Sequence, residues 1–211
     1  PPVAERVPAA MADLMRFARR IDLPVVPQVA ILHAQFETIH PFNDGNGRTG
    51  RALVHSMLKG AGATTRTTLP VSAGLLGDTD SYFAALTDYR YGDPNPIVSR
   101  FSQASFVAVA NGSALADDLR AAHDEWTDRL TAREGSAARR ALPHLLSSPA
   151  ITSAVLRERV GVSQPAADNA IRQLVDANIL TKASGVQRSI IYVAADVIGA
   201  LDRFADRARR G

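Results

Sequence analysis

The 211-residue chain contains no cysteine, and this absence excludes disulfide bonds and thiolate metal sites. A chain without cysteine is compatible with a reducing compartment, so we expect a cytoplasmic location. The sequence also lacks an uncharged apolar run of about 18 residues, so no membrane span is predicted. The first 15 residues, PPVAERVPAAMADLM, are not expected to be a signal peptide, because they show no basic segment followed by an apolar run. They also lack an initiator methionine, so we expect a processed chain or a piece of a longer one.

The sequence carries nearly equal numbers of positive and negative side chains. The formal net charge is +3, and residues 1–105 carry ten Lys and Arg against nine Asp and Glu. Residues 106–211 carry fourteen against twelve. Neither half is basic enough to predict nucleic-acid binding from charge alone. A hydrophobic content of 46% is ordinary for a folded protein that can bury a real core.

The apolar residues show helical spacing through most of the chain. Apolar side chains recur every three or four residues over about 26–39, 48–59, 80–89 and 97–130. The character changes near residues 134–136, and the pattern over about 138–195 is helix, helix, turn, helix and two short β-type runs. This order is typical of a winged helix-turn-helix. We therefore predict a mainly α fold with a helical core at 1–105, connecting helices at 106–137 and a winged helix-turn-helix domain with a short β-ribbon and a closing helix at 138–211.

One loop does not fit a purely structural role. The stretch HPFNDGNGRTGR, residues 40–51, interrupts two helical segments. Its single large apolar residue is Phe42, whose ring we expect to anchor the loop in the core. Gly45, Asn46 and Gly47 permit a turn whose N–H groups bind an anion, and a helix begins directly after them. Arg48 and Arg51 would share the first turn of that helix, where cations are unfavourable unless an anion is bound. The loop, with Asn43 included, is therefore predicted to bind a polyphosphate.

Two further side chains of the loop suggest chemistry on that phosphate. Asp44 is a candidate Mg²⁺ ligand, because Mg²⁺ takes one or two carboxylates together with phosphate oxygens. His40 ends the preceding helix and is a candidate general base toward an incoming hydroxyl. Taken singly, a histidine at a helix end is usually a cap and Gly-Asn-Gly is usually a turn. The combination with Asp44 and the two arginines favours a site.

The loop matches the signature HxFx(D/E)GNGRxxR of the Fic family at every fixed position. The resemblance extends over roughly residues 5–105 and implies a Fic-type helical core that transfers AMP from ATP to a Tyr, Ser or Thr hydroxyl of a target protein. It implies that His40 is the base, that Asp44 holds Mg²⁺, and that Arg48 and Arg51 bind the phosphates. Tyr82 is similar to the aromatic residue that flanks the nucleotide in relatives, and a plain core tyrosine is the alternative. Related Doc toxins, which transfer a phosphoryl group, have Lys where this chain has Gly47, so the resemblance implies nucleotidyl transfer.

The sequence departs from the family pattern in two places. The inhibitory motif [ST]xxxE[GN] is absent, because Leu130 stands four residues before Glu134. The β-hairpin flap that usually precedes the core would end about where this sequence begins. We expect an upstream segment to carry the flap.

The third helix of the predicted winged domain, about 163–177, is the segment that would read DNA. The candidate contacts are polar or basic side chains of that helix and of the wing: Gln164, Asn169, Arg172, Gln173, Lys182 and Arg188. So few cations predict modest affinity for DNA, and docking to protein or formation of a homodimer is the alternative.

Three hypotheses for the whole chain follow: a Mg²⁺-dependent adenylyltransferase, a DNA-binding regulator with a nucleotide-sensing domain, or a Fic enzyme that uses another donor or removes AMP.

Overall fold

The computed structural model describes residues 1–65, 70–183 and 190–210, with the side chains at 72, 73, 76 and 210 outside the description. It divides into two compact units, which are treated separately below. The first unit comprises Pro1–Gly112 with Arg207–Gly211, and the second comprises Ser113–Asp206. The fold is mainly helical with one small antiparallel sheet, as the sequence predicts. Among the described residues, no helix is both long and apolar enough to cross a bilayer.

The first unit is built from helices joined by short connections. After a 3₁₀ turn at Ala4–Arg6, its helices are α1 Val7–Ala18, α2 Val25–Ile39, α3 Asn46–Gly60, α4 Val71–Leu76, α5 Thr79–Arg90 and the first part of α6 Asn95–Arg129. The predicted helices at 26–39, 80–89 and 97–130 agree with the structure to within about two residues at each end. Helix α3 begins two residues earlier than predicted, and this places Asn46 in its first turn.

Helix α2 is the centre of the first unit, because it is buried on two sides. On one side Leu32, Phe36 and Ile39 pack against Leu14 of α1. The other side joins a larger cluster whose members come from α2 to α6: Val29, Ala30, Ala34, Val54, Leu58, Val71, Leu75, Ala85, Leu86, Ile97, Phe101 and Ala104. Packing on both sides holds the C-terminal end of α2 in place. That end carries His40.

The second unit combines helices with a three-stranded sheet. Its elements after α6 are α7 Ala137–Ser147, β1 Ala150–Ile151, α8 Ser153–Val160, α9 Gln164–Asp176, β2 Thr181–Lys182, β3 Tyr192–Val193 and α10 Ala195–Arg210. The strand order is β1-β3-β2, and both pairs are antiparallel. Residue Val193 of the central strand pairs with Ala150 on one side and with Thr181 on the other. The segment predicted as the tip of the wing, residues 185–187, lies outside the described residues.

The core of the second unit surrounds the single tryptophan of the chain. Trp126 is fully buried, and its indole N–H donates to Asp196 Oδ2 at 2.8 Å. The Arg129 guanidinium lies 3.0 Å from the same carboxylate oxygen. This arrangement satisfies the buried indole donor and ties α6 to α10 within the unit.

Candidate active site

The loop at residues 40–51 lies at the junction between α2 and α3. His40 caps α2 in a left-handed conformation, with φ 51°, and its N–H donates to Phe36 O at 2.9 Å. Such a conformation is uncommon for a residue other than glycine, although histidine adopts it more often than most. It turns the chain away from the helix axis directly before the glycine-rich segment. The His40 side chain is 49% exposed, so its imidazole is accessible to a ligand.

Asn46 closes the loop with its side chain. Its Oδ1 accepts from the Phe42 N–H at 3.0 Å, and its Nδ2 donates to the Phe42 carbonyl at 2.6 Å. Asn46 is only 3% exposed, so this reciprocal pair is shielded from water. The Asn46 side chain is therefore occupied within the protein, and its backbone N–H is the group left for the predicted anion cradle.

Phe42 differs from the sequence expectation. We expected its ring to anchor the loop in the core, but it is 48% exposed and reaches only the edge of the Phe36 ring, with 6.4 Å between the centroids. The backbone of Phe42, held by Asn46, anchors the loop instead. The half-exposed ring lies two residues from His40, on the accessible side of the site.

The two arginines fold back over the glycines at the start of α3. Gly45 is the N-cap in a left-handed conformation with φ 85°, which glycine adopts without strain. A methyl group added to Gly45 would lie 3.4 Å from Arg48 Nη2, and one added to Gly47 would lie 3.4 Å from Arg51 Nη1. Both guanidinium groups are thus beside the N-terminus of α3, where the helix dipole is already positive. A concentration of positive charge at one place is suited to an anion with several negative oxygens.

Asp44 is held by its neighbours but remains open to solvent. Its Oδ1 accepts from the Gly45 N–H at 2.7 Å, and its Oδ2 accepts from Arg48 Nη2 at 3.1 Å. The two side chains are 91% and 74% exposed, so the ion pair is weak and easily exchanged. A lone carboxylate beside a phosphate cradle fits Mg²⁺ that takes its other ligands from phosphate and water. The described residues contain no cluster of three His, Cys, Asp or Glu side chains that could form an all-protein metal cage.

A second layer of polar groups lies beneath the loop, on α2 and α5. His33 is 4% exposed, and its Nε2 lies 2.8 Å from the Tyr82 hydroxyl. Burial lowers the pKa of His33 to about 4; the backbone of Gly50 opposes this shift, and nearby Arg51 adds to it. Burial also raises the pKa of the Tyr82 phenol well above its usual value. His33 is therefore neutral at pH 7, and the Tyr82 hydroxyl is its hydrogen-bond partner.

Sequence reasoning identified neither His33 nor Glu37 as part of this region. Glu37 is in the last turn of α2, and its Oε2 lies 4.0 Å from His40 Nδ1. A signal existed for both residues, because they are the two ionisable side chains of a largely apolar helix and lie seven and three residues before His40. Polar residues on a buried helix that ends in a candidate site are worth testing for a role in it.

The predicted site residues fall into two groups. The structure brings together at the α2–α3 junction the eight loop residues His40, Asn43, Asp44, Gly45, Asn46, Gly47, Arg48 and Arg51. Tyr82 lies on α5 of the same unit, half-buried, with its hydroxyl committed to His33. Its predicted contact with a nucleotide stays a prediction, and its partial burial among apolar side chains also agrees with the alternative of a core tyrosine.

The candidate DNA contacts lie in the second unit. Gln164, Asn169, Arg172 and Gln173 are on α9 and Lys182 is on β2, whereas Arg188 lies outside the described residues. Gln164 Nε2 donates to Ser153 Oγ at 2.7 Å and to Asp168 Oδ1 at 3.0 Å. The hydrogen bond that Ser153 donates to Asp168, and secondly the one from Gln164, lower the pKa of the Asp168 carboxyl. The Asp168 carboxylate, in the second turn of α9, is therefore ionised at neutral pH.

Comparison with known proteins bears on the loop and its helices. Residues 1–58 match the Fic/DOC family. A probable protein adenylyltransferase of Aquifex aeolicus is 41% identical over 59 residues, which is 28% of this chain and 18% of that protein. The protein adenylyltransferase Fic of Nematostella vectensis is 29% identical over 143 residues, 58% of this chain and 32% of that protein. The first part of this chain is therefore similar to Fic proteins.

The similarity to Fic proteins is partial in length. The matched stretches cover 18% and 32% of the two curated relatives, so this chain corresponds to less than a third of either protein. A solved structure of a Fic family protein from Desulfovibrio desulfuricans G20 aligns with 92% of this chain and 56% of that one, with a TM-score of 0.49 and 23% identity.

Proposed function

We propose that the first unit transfers AMP from ATP to a hydroxyl side chain of a target protein or of the chain itself. The observation that carries this proposal is the position of an accessible imidazole, His40, at the end of α2 and a few residues before the glycine and arginine cradle at the start of α3. A base and a polyphosphate site brought together in this way are what nucleophilic attack on a phosphate requires. The names of the curated relatives support the same activity.

Each loop residue has a role in this reaction. His40 accepts the proton of the target hydroxyl while the hydroxyl oxygen attacks the α-phosphorus. The bond from that phosphorus to the β-phosphate oxygen breaks, and pyrophosphate leaves with the bonding electrons. Arg48, Arg51 and the first N–H groups of α3 hold the phosphates and stabilise their charge. Mg²⁺, held through Asp44, would neutralise phosphate oxygens in the complex with ATP.

The experiment is labelling with ATP that carries the radioactive phosphorus at the α position. The 211-residue chain is incubated alone and with lysate in the presence of Mg²⁺, beside its His40→Ala variant. We expect a labelled protein band with the parent chain and loss of the band with the variant. The exposed His123 lies in the second unit, and its replacement by Ala is the matched control that should leave labelling intact. Full labelling by the His40→Ala variant would refute the assigned base.

The same assay separates the other Fic chemistries. ATP labelled at the γ position should leave no mark, because pyrophosphate carries that phosphorus away. A mark from γ-labelled ATP alone would indicate phosphoryl transfer. Loss of AMP from a target that had been labelled beforehand would indicate removal of AMP.

We also propose that the second unit is a winged helix-turn-helix that binds DNA through α9. The order α7, β1, α8, α9, β2, β3 and the antiparallel sheet β1-β3-β2 support this proposal. The exposed face of α9 offers one arginine, Arg172, beside the ionised Asp168, so few phosphate contacts and a shallow salt dependence are expected.

Fluorescence anisotropy with duplex DNA at several salt concentrations tests whether the second unit binds DNA through α9. Arg172→Gln should weaken binding, and Arg120→Gln on α6 is the matched control. Equal binding by both variants would refute the assignment of Arg172 to the DNA contact. Sequence-specific binding that ATP modulates without AMP transfer would favour the DNA-binding regulator with a nucleotide-sensing first unit.

A further inference from the structure

A carboxylate lies beside the candidate base. Glu37 is three residues before His40, which places both side chains on the same face at the end of α2. The Glu37 Oε2 atom is 4.0 Å from His40 Nδ1, and the Glu37 side chain is only 13% exposed. Among the described residues, His40 is the basic side chain that lies within 4.0 Å of the Glu37 carboxylate.

The position of this carboxylate depends on the neighbouring helix as well as on its own. A methyl group added to Gly50 of α3 would lie 2.7 Å from Glu37 Oε1, which is closer than real carbon and oxygen atoms approach. The absence of a side chain at Gly50 therefore makes room for the Glu37 carboxylate between α2 and α3. One oxygen packs against α3, and the other is directed toward the His40 ring.

Glu37 contributes little to stability in this place. Burial raises the pKa of its carboxyl, while His40, Arg51 and Arg90 oppose the rise in that order. A carboxyl with a raised pKa in the folded state destabilises the fold above that pKa and less so as the pH falls. A largely buried carboxylate that destabilises the fold at neutral pH and lies beside a candidate base suggests a functional role.

We propose that Glu37 is a positioning residue that orients His40 and selects its tautomer. The Glu37 carboxylate accepts the Nδ1–H of the imidazole, so the lone pair is on Nε2 and is available for the proton of the target hydroxyl. When the hydroxyl oxygen bonds to the α-phosphorus and pyrophosphate leaves, that proton is on Nε2 and the carboxylate faces the resulting imidazolium. The present separation is longer than a hydrogen bond, and such contacts often shorten only when substrate binds. The kinetic part of this proposal rests on the proposed AMP transfer, whereas the tautomer part does not.

Glu37→Gln tests the proposal with little change of shape. In the parent chain, ¹⁵N NMR of the histidine rings should show neutral His40 with its proton on Nδ1. In Glu37→Gln the amide can donate as well as accept, so the population with the proton on Nε2 should increase. The matched control is Glu5→Gln, because Glu5 is an exposed glutamate of the same unit. Identical His40 tautomers in the parent, Glu37→Gln and Glu5→Gln chains would overturn the proposal, whatever the transfer activity.

Kinetics supply the second readout. If the chain transfers AMP, Glu37→Gln should lower kcat by about 10-fold to 100-fold with little change in KM for ATP, since an oriented base contributes about 10²–10⁴-fold. Glu37→Asp keeps the charge and should recover part of the loss. A rise in KM for ATP with unchanged kcat would indicate that Glu37 acts through Arg51 on phosphate binding, and would overturn the assignment. A chain without transfer activity refutes the proposed function and leaves the NMR result to decide the role of Glu37.

Discussion

His33 Nε2 and the Tyr82 hydroxyl lie 2.8 Å apart although they are separated by 49 residues in the chain. The contact joins α2 to α5 beneath the loop, and it is the bond that satisfies one ring nitrogen of His33. The other nitrogen, Nδ1, is buried without a hydrogen-bond partner among the described residues. This histidine is therefore held neutral inside the protein, and the fold depends on that state.

The stability of the first unit should depend on pH through His33. The unfolded chain binds a proton near pH 6.5 and the folded chain only near pH 4, so stability is complete above about 6.5 and is lost as the pH falls toward 4. The linked loss is roughly 3 kcal/mol for a shift of this size. Urea unfolding followed by far-UV circular dichroism from pH 4 to 8 measures it. His33→Gln removes the titrating group, so its stability should change less over the same range. Parallel curves for the two chains would contradict the prediction.

Asn46→Ala should destabilise the loop. The substitution leaves the N–H and the carbonyl of Phe42 without their buried partner, and each unmade bond typically costs about 1–3 kcal/mol. The midpoint of urea unfolding measures the loss, again by circular dichroism because the single Trp126 lies in the second unit. Asn43→Ala in the same loop removes an exposed side chain and should change stability by less than about 0.5 kcal/mol. Equal effects of the two substitutions would show that the Asn46 side chain is not the closure of the loop.

Gly50→Ala should destabilise the protein even though alanine favours helix by about 1 kcal/mol. The added methyl group would lie 2.7 Å from Glu37 Oε1 and 3.2 Å from two atoms of the buried His33 ring. Gly60→Ala, at the other end of α3, has no atom within 4 Å of the added carbon and should be neutral or mildly stabilising. Differential scanning calorimetry of the three chains compares them. An increase in Tm for Gly50→Ala would mean that α2 and α3 can separate without penalty.

Asp44→Asn should weaken ligand binding while it leaves the stability of the fold almost unchanged. The ion pair with Arg48 is exposed on both sides, so its loss should change the free energy of unfolding by less than about 1 kcal/mol. The substitution should nevertheless weaken the Mg²⁺-dependent part of nucleotide binding, measured by isothermal titration calorimetry with and without Mg²⁺. Asp80→Asn, an exposed aspartate of α5, is the control. Unchanged Mg²⁺ dependence in Asp44→Asn would remove Asp44 from the proposed metal site.

Much of the fold could be predicted because its signals are local. The helices at 25–39, 79–90 and 95–129 follow from apolar spacing and from prolines and glycines at their ends, which act on the backbone through neighbouring residues. The residue types of the loop predict an anion site, and this stays a prediction.

The sequence by itself determined which residues the loop contains and the approximate extent of the two helices beside it, because backbone preference and turn chemistry are properties of short segments. Only the tertiary structure decided where α3 begins, which loop side chains are exposed and which face the protein. It directs Asn46 inward, leaves Phe42 half-exposed, and uses the space at Gly50 to hold Glu37 beside His40. These outcomes depend on packing between α2, α3 and α5, and local periodicity cannot specify which atoms of separate helices come into contact.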